Sequence, residues 1–176
     1  ELQTYTNSVE NILLNNGYLY IRAKKDNPFD PNQPGYTSGR INTAGKVEIQ
    51  YGLREIRAKL SSGVGTWPAI WMLNSEINAV GWPYCGEIDI MEQGHTGASS
   101  NVTTGAAHLG NCPYSSSSHF YNSFQHTLNS GSFADNFHTY EIRWDVDYIA
   151  PNSLTISDLD GKNTTIWSRS CLLYTS

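Results

Sequence analysis

A chain of 176 residues is long enough for one domain with a sizeable core and short for two. Five Trp, eleven Tyr, five Phe and 15 Gly, with only 15% charged residues, describe a β-rich, turn-rich globular protein. The net charge of −5 argues against nucleic-acid or anionic-membrane partners, and no apolar run approaches the roughly 20 residues of a membrane span.

Along the chain, strand signals dominate. ILLNNGYLYI (12–21) places apolar runs on either side of Asn16-Gly17, which predicts a tight hairpin. YGLREIRAKL (51–60) is ambiguous, because Leu53, Ile56 and Leu60 fit helical spacing as well as they fit a strand. FHTYEIRWDVDYI (137–149) alternates Tyr140, Ile142, Trp144, Val146 and Tyr148 with Glu141, Arg143, Asp145 and Asp147, the pattern of a strand with one buried face. Asp160-Gly161 marks another turn, and 26–38, 74–86 and 111–135 read as loops. With no internal repeat or linker, the expectation is one mostly antiparallel β domain, a sandwich or jelly roll.

GEIDIMEQ (86–93) is the segment that carries chemistry. Strict alternation puts Glu87 and Asp89 on one face and turns Glu92 toward Ile88 and Ile90, where a buried carboxylate is costly. A bulge at Ile90–Met91 removes the conflict and returns Glu92 to the face of the other two acids. Three like charges in a row repel, which is poor for stability and useful for acid/base work, since one carboxyl stays protonated beside an ionised neighbour. Paired carboxylates of this kind hydrolyse glycosides. A solvated polar face and a calcium site are the alternatives.

GEIDIME also resembles the catalytic signature of glycoside hydrolase family 16, in its laminarinase (endo-1,3-β-glucanase) branch. ELQTYTNS (1–8), YTSGRINT (36–43), GTWPAIWML (65–73), the lead-in from Trp82 to Glu87, and FHTYEIRW (137–144) are similar to family blocks in family order. The resemblance covers roughly residues 1–148. It implies a concanavalin-like jelly roll with a sugar-binding cleft on its concave face, and it makes 51–60 a strand. It implies Glu87 as nucleophile, Glu92 as general acid/base, Asp89 as their hydrogen-bonding or charge-sharing neighbour, and hydrolysis with retention of anomeric configuration.

The resemblance also implies substrate-binding roles for Trp71 and Trp82 on the cleft floor and for Arg40. Core packing is the alternative for a tryptophan and a surface ion pair for Arg40. His108 is expected across from the acidic strand, contacting sugar, supporting an acid or making a structural hydrogen bond. Trp144 reads as core, His138 as a backbone partner where its strand begins, and Trp67 is open. By the same chain reversal, Cys85 and Cys112 are either a disulfide or two free thiols.

CLLYTS (171–176) resembles a translated sequencing-adapter end, so the expectation is a single partial catalytic domain over 1–170 with a non-native tail. Family strands before Glu1 and after residue 150 are missing from the pattern. No cofactor or metal is expected, although relatives often hold a structural calcium. The expected partner is a β-glucan, not nucleic acid or membrane; the chain is expected to be monomeric and to act outside the cell or in its envelope. Mixed-linkage glucan, agarose or carrageenan hydrolysis and non-catalytic β-glucan binding are the rival readings.

Overall fold

The computed structural model describes residues 2–25, 35–94, 99–110 and 119–144, with the backbone of 153–157 and 163–167. These residues fall into two compact units, Glu1–Val47 and Glu48–Ser176. The Asp160-Gly161 turn, residues 145–149 of the alternating segment, Cys112, and the tail with Cys171 lie outside the described residues.

The first unit contains β1 (Gln3–Tyr5), β2 (Ile12–Asn15), β3 (Tyr18–Ile21), β4 (Lys24–Lys25) and β5 (Tyr36–Ser38). β2 and β3 form the predicted hairpin, with Asn15 opposite Tyr18. Asn16 and Gly17 both have positive φ, 50° and 79°, as a tight hairpin turn requires. β5 pairs in parallel with β1 and antiparallel with β4. It lies in a stretch expected to be loop, because three residues are too few to show alternation. Asn11, buried to 2% exposure, ties the unit together: its amide donates to Arg22 O and Thr37 Oγ1 at 3.0 and 3.2 Å, and its Oδ1 accepts from Thr6 Oγ1 at 2.6 Å.

The second unit contains β6 (Gly52–Ala58), β7 (Ala69–Leu73), the single turn α1 (Ile77–Val80), β8 (Glu87–Glu92), β9 (Val102–Gly110), β10 (His119–Thr127), β11 (His138–Trp144), β12 (Ser153–Ser157) and β13 (Asn163–Trp167). Two four-stranded antiparallel sheets result, in the orders β10-β9-β8-β7 and β13-β12-β11-β6. The architecture is the all-β antiparallel sandwich the pattern predicts.

The core lies between these sheets. Ile90, Met91 and Ala107 of the first sheet meet Tyr140 and Ile142 of the second, with Leu60, Leu128 and Phe133 filling in from connections. Tyr140, Ile142 and Trp144 form the expected inward stripe, and Trp144 meets Tyr51 edge-on at 5.1 Å. Segment 51–60 settles as strand: Ile56 and Ala58 face the core while Leu53 is exposed, a period of two and not 3.6.

Two stretches expected as loops contain structure. In 74–86, Asn74 Oδ1 accepts the Glu76 N–H at 2.8 Å and starts the one-turn helix, which stops at Gly81. In 111–135, β10 occupies His119–Thr127; Asn122 and His126 share the face of Phe120 and Phe124, which breaks the apolar alternation. His138 departs from its expected backbone role. Its ring packs edge-on against Phe133 at 4.9 Å, and its buried Nε2 has no hydrogen-bond partner among the described residues.

Candidate active site

β8 is kinked where the spacing of its acids demands. On the β7 side, Trp71 pairs with Asp89 and Ile70 with Met91, so one step on β7 spans two on β8. On the β9 side, Asp89 pairs with Ala106 and Glu92 with Thr104, so two steps span three. Both registers place the extra residue at Ile90–Met91, as a bulge. Ile90 and Met91 are both turned into the core, at 3% and 1% exposure. Burying each of these side chains stabilises the fold by about 1.5–3 kcal/mol, which outweighs the lost ladder bonds and holds the kink in place.

The bulge sets one row of side chains. Directly opposed residues share a face, so Glu87, Asp89 and Glu92 stand on the face of Leu73, Trp71 and Ala69 on one neighbour and of His108, Ala106 and Thr104 on the other. That face points away from the core. The glutamates are half-buried and Asp89 is buried at 4% exposure. Asp89 is also the acid whose pKa departs most: burial pushes it up to about 7, and the charges of Glu92 and Glu87 add to the rise. Among the described residues it makes a short ionic contact with His108, whose Nε2 lies 3.0 Å from Asp89 Oδ2. Whether the carboxyl is protonated or ionised, that contact holds a proton, donated by the acid or by the imidazole.

Each glutamate is held by a tryptophan. Trp82 donates its indole N–H to Glu87 Oε2 at 2.5 Å, and Trp67 donates to Glu92 Oε1 at 2.9 Å. Both indoles are about half exposed, so their faces remain available to a ligand. Trp71 is half-buried beside Asp89 on the same face. Trp82 also packs at 4.7 Å on His119, which with Tyr121 continues this face onto β10. Ala106 and Ser123 extend the row of Trp71 and Asp89 across β9 and β10, and their small side chains leave a low floor between Glu87 and Glu92.

The structure thus brings together Glu87, Asp89, Glu92, Trp71, Trp82 and His108. Arg40 belongs to the first unit, where its guanidinium lies 5.9 Å from the centre of the Tyr5 ring. Cys85, next to Gly86 at the lead-in, is buried with no disulfide to any described residue, and burial raises its pKa; Cys112, the other half of the disulfide considered, lies outside the described residues. The Cys85 backbone N–H is held by Gly81 O at 2.9 Å, which fixes the thiol inward. Sequence reasoning left Trp67 open and missed His119 and Tyr121. The alternation FYNSFQ was their signal, masked by Ser, Asn and Gln. Among the described residues, no group of three His, Cys, Asp or Glu side chains is disposed to hold a metal.

Comparison with known proteins is consistent with this geometry. The sequence profile of Glycosyl hydrolases family 16 matches residues 2–151. The glucan endo-1,3-beta-glucosidase A1 of Niallia circulans is 39% identical over 154 residues, covering 85% of this chain and 22% of that protein. A beta-glucanase of Rhodothermus marinus is 40% identical over 152 residues, 82% of this chain and 48% of that protein. The crystal structure of the laminarinase catalytic domain from Thermotoga maritima superposes with a TM-score of 0.73 at 38% identity, covering 94% of this chain and 62% of that one. The chain spans less than half the length of these two curated relatives, and the resemblance places its sandwich among the jelly rolls of that family.

Proposed function

This chain belongs to glycosyl hydrolase family 16, and we propose that it cuts β-1,3-glucan internally, with retention of anomeric configuration. The observation that carries the reading is the register across β8, which sets Glu87 and Glu92 on one face with Asp89 between them. Similarity to glucan endo-1,3-beta-glucosidases supports the substrate.

In this mechanism a Glu87 oxygen attacks the anomeric carbon while protonated Glu92 gives its proton to the departing glycosidic oxygen. A glycosyl ester on Glu87 results. Glu92, now a carboxylate, takes a proton from water, the water oxygen attacks the same carbon, and Glu87 is released. The tryptophan bonds suit this cycle. Trp82 occupies Oε2 of Glu87 and leaves Oε1 for attack, and Trp67 bonds Oε1 of Glu92, leaving Oε2 to carry the moving proton. An indole N–H can bond either a carboxylate or the carbonyl oxygen of a carboxylic acid, so Glu92 changes state without losing its anchor.

Asp89 supplies the charge contrast. It lies between the two glutamates, and burial together with their charges pushes its carboxyl up to about 7. The exposed faces of Trp82 and Trp67, with Trp71 beside Asp89, offer the flat apolar surfaces on which sugar C–H faces pack. Arg40 is assigned a sugar contact in the same reading, and His108 the support of Asp89.

The reading makes one geometric demand. Glu87 and Glu92 lie four register steps apart, about 13 Å between Cα atoms on an untwisted strand, whereas retaining chemistry uses carboxyl groups about 5–5.5 Å apart. Their side chains must therefore converge over Asp89, helped by the extra twist of the bulge. Such an enzyme works on an extracellular polysaccharide as a monomer, with no cofactor.

The test is reducing-sugar release from laminarin, lichenan and agarose side by side. Laminarin is expected to be cut fastest, with oligosaccharides appearing before glucose. Cleavage of lichenan or agarose alone would refute the specificity, and binding of laminarin without cleavage would refute hydrolysis.

A further inference from the structure

Asp89 is nearly sealed from water, yet it is the group in the row poised to change protonation near neutrality. Two hydrogen bonds in series lead away from it. His108 Nε2 lies 3.0 Å from Asp89 Oδ2, and His108 Nδ1 lies 2.9 Å from His119 Nε2. The two imidazole planes are within 17° of each other with centroids 5.1 Å apart. That separation is close to the N···N distance plus one ring radius at either end, so the rings meet edge to edge, nearly in plane, as an N–H···N bond requires. Trp82 packs on His119 at 4.7 Å, and Tyr121 lies 5.7 and 5.6 Å from the two imidazoles, which fixes both ring planes. His119 is exposed.

We infer that His119 is a positioning residue for the acidic strand: through His108 it sets the proton state of Asp89, and it is where that proton enters from water. The inference rests on Asp89 belonging to the catalytic row. The protons balance as follows. With Asp89 ionised, His108 donates Nε2–H to Asp89 and accepts at Nδ1 the Nε2–H of His119. A proton from water binds His119 at Nδ1, the Nε2 proton of His119 passes to His108 Nδ1, and the Nε2 proton of His108 passes to Asp89 Oδ2. The net charge of the three groups rises from −1 to 0, both histidines exchange tautomer, and neither ends as a cation.

This route stays open when sugar covers the floor above Asp89, because its mouth is two strands away on β10. Among the described residues, the titratable groups facing these imidazoles are Glu87, the register partner of His108, and Glu92 on β8, Tyr121 on β10, and Tyr84, packed against Gly110 ahead of β8. Trp82 carries no charge. A negative row on one side and neutral rings on the other favour proton delivery toward Asp89.

His119→Gln keeps a donor for His108 Nδ1 but cannot pass a proton through. His119→Phe keeps the ring contact with Trp82 and removes the bond. The readouts are the pH profile of laminarin kcat/KM and the ¹⁵N chemical shifts of the imidazoles in the sugar-free protein between pH 5 and 8. In wild type, His108 and His119 are expected to exchange tautomer together, and the exchange to vanish in Asp89→Asn. In His119→Gln, His108 is expected to stay in the Nε2–H form and the acid limb of the profile to move about one pH unit toward acid. An unmoved profile with activity lowered equally at every pH, or tautomers in His119→Gln and His119→Phe that follow wild type, overturns the inference. Should no β-glucan be cleaved at all, the catalytic reading fails while the imidazole shifts still decide the relay.

Discussion

Asp89→Asn separates what the acidic row costs from what it does. The folded protein holds the Asp89 proton up to about pH 7, against 3.8 for the free side chain. Between those values the folded chain binds a proton that the unfolded chain has lost, so stability falls as pH rises. At 1.36 kcal/mol per unit over about three units, the loss is about 4 kcal/mol once pH exceeds 7. Every interaction of the ionised carboxylate, the His108 contact included, is already in that difference, of which about 3 kcal/mol falls between pH 4.5 and pH 8. Asparagine matches the shape, can donate to His108 Nε2, and has no charge to desolvate. Urea unfolding of both proteins at pH 4.5 and pH 8 measures the effect. Asp89→Asn is expected to be near wild type in stability at pH 4.5 and more stable by about 3 kcal/mol at pH 8, while hydrolysis falls at both. Equal loss of stability with pH in the two proteins would refute the burial and repulsion argument.

Other expectations follow from the same face. Glu92→Ala removes the proton donor, so laminarin turnover is expected to fall at least a hundredfold, with azide restoring turnover of an activated aryl glycoside; Glu87→Ala should show no such rescue into a β-glycosyl azide. Trp67→Phe deletes one hydrogen bond to a carboxyl and should cost about 1.5–3 kcal/mol of transition-state stabilisation, read as roughly a ten- to hundredfold drop in kcat/KM with an unchanged melting temperature. Gly94 follows β8 at φ 82°, and a Cβ there would collide with Thr66 O. Gly94→Ala is therefore expected to destabilise the fold by about 2–4 kcal/mol in thermal or urea unfolding.

How far the fold and site could be read ahead depended on how many constraints each residue carried. The bulge was legible because Glu92, one residue out of phase with Glu87 and Asp89, had only two fates, burial among isoleucines or a kink, and their costs differ widely. Tyr140, Ile142 and Trp144 were legible because alternation with charged residues leaves one inward face. β10 was not, since its inward side chains, Phe120, Asn122, Phe124 and His126, mix two chemistries. His119 and Tyr121 went unnoticed with it. Trp67 lies just before β7 in no regular element, and period says nothing about where a loop indole points; only coordinates show it on Glu92. The register that lines His108 up with Glu87 depends on where the connection from β8 to β9 turns, which composition does not fix.

The account stands or falls on Glu87 attacking the sugar from a face it shares with Glu92. A 2-deoxy-2-fluoro β-1,3-linked glucose disaccharide fluoride slows release of the glycosyl ester, so the protein can be digested and the labelled peptide sequenced by mass spectrometry. The label is predicted on the peptide containing GEIDIME, at Glu87, and the label should disappear in Glu87→Gln. A label on Glu92 or on another residue, or inversion at the anomeric carbon with no adduct in protein that is cutting laminarin, would contradict it.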